Sequence, residues 1–140
     1  MLISRPAQRR HSPSRQQSLP RKTLALLFVI GMATMVVAGR LPALLALWYA
    51  AASMLAMLVY RLDKSAAQRG RQRTPEATLH LIALLGGWPG ALLAQALFRH
   101  KSSKAAFQLR FWITVVANVA ALYWACRQPA LMAALDALPD

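Results

Sequence analysis

The stretch "LLGGWPGALLAQALFRHKSSK", residues 84–104, decides how this chain folds. Its apolar residues have the composition of a membrane helix. Its centre holds Gly86, Gly87, Pro89 and Gly90, the residues a helix tolerates least: inside one, Pro costs ~3 kcal/mol and Gly ~1 kcal/mol each. It then runs into a basic cluster, Arg99, His100, Lys101 and Lys104. The surrounding apolar segment, residues 79–98, reaches ~30 Å at ~1.5 Å per residue, just enough to span a bilayer. Two courses are open. The segment crosses as a kinked helix, or it enters, turns at residues 86–90 and leaves on the side it came from.

The rest of the chain makes the membrane setting explicit. Of 140 residues, 57% are hydrophobic and 15% charged, a balance that indicates an integral membrane protein. Three further apolar runs occupy residues 23–39, 41–60 and 107–126. The expected fold is an all-α membrane protein of three or four transmembrane helices, with the third apolar segment broken at GGWPG. Residues 1–22 are basic, rich in Ser and Pro and free of acids; they are expected to form a disordered arm before a helical membrane domain over residues 23–126. Residues 127–140 form a short tail.

Local signals set the helix ends. Only Gly39 and Arg40 separate the first two runs, which suits a helical hairpin rather than a cleaved signal peptide. Pro42 stands where a helix starts. The second helix is expected to continue through "RLDKSAAQR" and stop at Gly70, a residue suited to the position just past a helix end. Thr74, Pro75 and Glu76 read as cap, first helical position and first-turn acid. The pairs Ala46/Ala50 and Ala52/Ala56 have the spacing of close helix contacts, as do Gly86 and Gly90. Trp112 and Tyr123–Trp124 fit interfacial belts, and Arg110 is placed to snorkel outward.

Charge bears on the broken segment. The chain carries 17 Lys and Arg against 4 Asp and Glu, a net charge of +13, which suits anionic headgroups more than nucleic acid because the cations flank the apolar runs. With the N-terminus cytoplasmic, a crossing third segment puts twelve Lys/Arg inside and five outside; a re-entrant one puts fifteen inside and two outside. The positive-inside rule prefers the second arrangement.

The motifs from residue 60 onward resemble a bacterial membrane-protein family catalogued as domain of unknown function twelve-ninety-four. The resemblance rests on Asp63-Lys64 with Ala67, Arg73-Thr74-Pro75-Glu76, Leu79-His80, Gly86-Gly87-Trp88-Pro89-Gly90, Arg99-His100-Lys101, Lys104 and Phe107. It covers residues 60 to about 125, with Thr74 where the family usually has Ile. It implies a multi-helix protein of the bacterial inner membrane and supplies no activity. Some relatives resemble fusions to a cold-shock domain; residues 1–22 hold no aromatic side chain for base stacking, so nucleic acid is not an expected partner.

No catalytic constellation is legible. His11, His80 and His100 are too scattered for a local metal motif, no P-loop, GxSxG or HExxH occurs, and no cofactor is expected. Cys126 is the sole cysteine and reads as an apolar filler. Asp63 sits near a helix C-terminus, where the dipole disfavours an anion, so it is expected to pair with a cation, Arg99, His100 or Lys101 if the third segment re-enters. His80 reads as a packing histidine or a proton relay, and Asn118 as an amide bonding to another helix. The expected function is a non-enzymatic membrane protein that meets anionic lipid, a protein partner or a second copy of itself through its basic face. The alternative is a small transporter or channel subunit, with an anion-attracting half-helix N-terminus at the break.

Overall fold

The computed structural model describes residues 20–98 and 104–138, and within them every element is helical. Helix α1 spans Arg21–Val37, α2 Ala43–Gln68, α3 Glu76–Ile82, α4 Trp88–Phe98, α5 Ala105–Cys126 and α6 Pro129–Asp136. A π turn, Ala83–Gly87, joins α3 to α4. The expected arm, apart from its last three residues, and the Arg99, His100 and Lys101 cluster lie outside the described residues.

The ends of α2 follow the signals in its sequence. Pro42 is its N-cap, and Gly70, at φ 64°, turns the chain immediately after the Arg69 C-cap. The start of α3 falls next to Pro75 as expected, but without the expected Thr74 side-chain cap. Pro75 lies just outside the helix, and no side chain caps it. The Thr74 contribution is instead its backbone N–H, which points at Asp63. The tail is more than a terminus: it folds into α6, an apolar helix with no buried residue, which lies beside α2 and α5 and lines a cavity with the start of α2.

The broken segment forms a hairpin against α2. Going down α3, Thr74 lies beside Asp63, Ile82 shares a groove with Ala52 and Leu55, and the Leu85 carbonyl reaches Trp48. Going back up α4, Gly90 faces Ser53, Gln95 meets Tyr60, and the Phe98 carbonyl meets Lys64. Thus α3 runs antiparallel to α2 and α4 runs parallel to it. Helix α5 starts with Lys104 beside Glu76, passes Gln108 against Gln95 and reaches the turn with Asn118. The C-terminal ends of α2 and α4 and the N-terminal ends of α3 and α5 therefore meet at one end of the bundle, the basic end. From Asp63 to the turn is roughly 22 Å along α2 at ~1.5 Å per residue.

Burial shows which element is the core. Three stretches are long and apolar enough to cross a membrane: Ala43–Gln68, Glu76–Phe98 and Ala105–Cys126. The most apolar part of the middle one is 61% buried, against 17% in each of the others. Helix α4 lies inside, with Ala91, Leu92, Ala94 and Gln95 fully covered. The other helices turn Leu27, Ile30, Leu47, Met54, Leu58, Ile113 and Val116 outward. An apolar outer surface around a partly polar interior is what a hydrocarbon solvent demands.

Candidate functional site

Two places hold the residues that the motifs single out. The first is the turn. Gly86 has φ 111°, a conformation only glycine adopts at low cost, and there the helix path reverses. Breaking a helix at this depth leaves carbonyls without their usual donors. Pro89 has no N–H to offer Leu85, four residues before it. The indole N–H of Trp48 donates to the Leu85 oxygen instead, at 2.7 Å. The Asn118 amide donates to the Leu84 oxygen at 2.6 Å. Its own oxygen accepts from the Tyr49 hydroxyl at 2.6 Å and from the Trp88 indole at 3.0 Å. One amide on α5 thus ties together α2, the π turn and the first residue of α4.

Glycine also lets the turn seat closely. A Cβ on Gly87 would lie 2.7 Å from the Ala52 oxygen, and one on Gly90 would overlap the Ser53 carbonyl. Gly87 and Gly90 thus meet the α2 backbone, whereas Gly86 supplies the backbone reversal and faces the Trp48 and Tyr49 side chains of the same helix, so the expected pair Gly86 and Gly90 both lie against α2. Phe28 of α1 closes the site, its ring 4.3 Å from Trp88 and 5.4 Å from Tyr49. Nearer the basic end, Gln108 donates to Gln95 at 2.9 Å, and Gln95 donates to the Tyr60 hydroxyl at 3.2 Å.

The second place is the basic end. Asp63 is fully buried and accepts the Thr74 N–H at 2.8 Å. The partner shown is thus a backbone N–H; the suggested pairing with Arg99, His100 or Lys101 involves residues that are not described. Lys64 donates to the Phe98 carbonyl at 2.8 Å, satisfying the C-terminus of α4. Lys104 and Glu76 form an ion pair at 2.6 Å. His80 stacks on Phe107, with ring centres 4.6 Å apart. Arg61, Arg69, Arg71 and Arg73 remain exposed around these contacts, as does Lys22 at the start of α1. The opposite end carries Arg40, Arg127 and Asp136 among the described residues.

The structure therefore gathers Asp63, Lys64, Glu76, His80 and Lys104 at the base of the hairpin, with exposed Arg73 in the adjoining loop, and Gly86, Gly87, Trp88 and Gly90 at its turn. Sequence reasoning noted Asn118 as a helix-bonding amide without ranking it among site residues, and it passed over Trp48, Tyr49, Tyr60 and Gln95. A usable signal existed for Gln95: a lone amide within the apolar run "ALLAQALF". The N-terminal turn of α4, where an anion would sit in the transporter alternative, is filled by packing, with Gly87, Trp88, Pro89 and Gly90 all buried. Among the described residues no three His, Cys, Asp or Glu side chains come together as metal ligands would.

This arrangement defines a class: a helical protein with three stretches long and apolar enough to cross a membrane and an interior helical hairpin pinned at its turn and its base. Residues 53–107 match the family model DUF1294, described as a protein of unknown function. The matched segment begins at Ser53, on which Gly90 packs, and ends at Phe107, on which His80 stacks, so it contains the hairpin and most of its seat on α2. It starts earlier and ends sooner than the residues 60–125 expected from the motifs. No curated protein and no solved structure matches the chain.

Proposed function

We propose that this chain is a multi-pass membrane protein in which α1, α2 and α5 cross the bilayer while the α3–α4 hairpin enters and leaves on one side, and that its basic end binds the anionic headgroups of that leaflet. The observation that carries the reading is the meeting of four helix ends at one pole, where exposed arginines outnumber acids already engaged by Thr74 and Lys104. The positive-inside rule makes that pole cytoplasmic, with the N-terminus on the same side; in a bacterial cell the membrane is the inner one. The role is non-enzymatic: the carboxylates, amides and phenols described above are occupied in holding the hairpin.

Reconstitution into vesicles of phosphatidylcholine, with and without phosphatidylglycerol, tests the headgroup claim. Each arginine near an anionic surface contributes ~1 kcal/mol. Phosphatidylglycerol should raise the thermal unfolding temperature, and salt should weaken the effect, because charges separated by more than ~10 Å are screened at ~0.1 M. Replacing Arg61, Arg69, Arg71 and Arg73 together by Gln should remove most of the gain. An equal gain in that variant, or none in the native chain, rejects the reading.

A further inference from the structure

The hairpin leaves a groove on the outer surface of the bundle, about 220 Å³ in volume, between α2 and the α3–π turn segment. Trp48, Ala51, Ala52 and Leu55 form one wall, and Ile82 and Leu85 the other. The lining is apolar throughout. Ala51 and Ala52 keep the α2 wall low, so the groove stays open along the helix. The loop that joins α2 to α3 passes over the basic end of this helix pair, and it carries Arg69, Arg71 and Arg73, all exposed. Along α2 at ~1.5 Å per residue, the groove runs from Leu55, about 13 Å below Lys64, to Trp48, about 24 Å below it, so its upper end lies within the ~15 Å of a half-bilayer.

From this we infer a specific lipid site: one anionic phospholipid of the basic-side leaflet is held with its phosphate at Arg69, Arg71 and Arg73 and the lower part of an acyl chain in the α2–α3 groove. Three features together select this occupant. The loop supplies cations where the phosphate lies. The upper end of the groove supplies an apolar slot at the depth where an acyl chain ends. The covalent continuity of α2, loop and α3 places the two on one helix pair. The inference rests on the headgroup reading above, but it adds a resident lipid to a general attraction.

The test extracts the protein from phosphatidylcholine–phosphatidylglycerol vesicles in mild detergent and identifies retained lipid by native mass spectrometry. The native chain should keep one phosphatidylglycerol. Ala51→Trp, at an exposed position, fills the groove and should lose that lipid, while the salt-sensitive stabilisation by phosphatidylglycerol persists. Leu55→Trp is a second groove-filling variant should the first fold poorly. Arg69→Gln, Arg71→Gln and Arg73→Gln combined should also lose it. Retention of phosphatidylglycerol by a folded groove-filled variant overturns the site and leaves the headgroup reading standing. Loss of the salt-sensitive stabilisation in the native chain defeats the headgroup reading itself. Retention of phosphatidylcholine as readily as phosphatidylglycerol overturns the assigned role of the arginines.

Discussion

Asn118 concentrates the cost of breaking an apolar, interior helix into one side chain. Its amide serves the Leu84 carbonyl, the Tyr49 hydroxyl and the Trp88 indole. Interhelical hydrogen bonds in membranes average only ~0.6 kcal/mol each, but a buried group left without a partner costs about 1–3 kcal/mol. Asn118→Leu should therefore destabilise the protein by about 2–4 kcal/mol, measured by thermal or denaturant unfolding in detergent. A smaller loss, below about 0.5 kcal/mol, contradicts the role given to this amide. Gly90 makes the complementary case by volume. Gly90→Ala drives a methyl group into the Ser53 carbonyl and should cost about 1–3 kcal/mol or more. Gly31→Ala, where a Cβ meets nothing within 4 Å, should be neutral or mildly stabilising. At this scale the sequence was informative about type and blind to partners. A glycine cluster announces a break, and a lone amide announces a hydrogen bond. That Gly87 joins Gly90 on the α2 backbone, while Gly86 meets only α2 side chains, depends on the rotation of a helix that the break itself resets.

The elements hold one another at two levels, and the two ion-bearing contacts at the base differ in weight. Lys104 is 58% exposed in its pair with Glu76, so Glu76→Gln should cost no more than about 1 kcal/mol. Asp63 is fully covered, and its bond to the Thr74 N–H anchors the loop between α2 and α3. Truncating a buried, charge-assisted acceptor leaves its donor stranded; Asp63→Ala should cost about 2–4 kcal/mol. Equal losses for the two variants in the same unfolding assay would refute this ordering. Element boundaries were largely legible: Pro42 and Gly70 bracket α2 as their chemistry dictates. The exceptions have local causes. Thr74 turns its N–H to Asp63 and supplies no side-chain cap. Helix α6 forms in a tail that looked like a mere terminus, because "PALMAALD" begins with a proline suited to the first helical turn and continues with strong helix formers.

At the scale of the whole molecule, the unusual feature is that the segment with the worst helix sequence is the core. A break exposed to lipid would leave backbone groups unsatisfied at several kcal/mol each, so the only tolerable place for it is inside, and α1, α2 and α5 surround it. The sequence carried the membrane class, the break and a charge balance favouring one side. It did not carry the course of the hairpin, because length alone permits a crossing and the contacts that fix the reversal join residues up to 69 positions apart. The central claim is that both ends of the hairpin share the cytoplasmic side. Single cysteines at Gln72→Cys, before α3, and Ala105→Cys, after α4, each in a Cys126→Ser background, test it with an impermeant thiol reagent applied to intact cells and then to inside-out vesicles. The account predicts that both positions stay unlabelled in intact cells and both react in inverted vesicles. Labelling of Ala105→Cys from outside, with Gln72→Cys protected, would mean that residues 76–98 cross the membrane, and would contradict it.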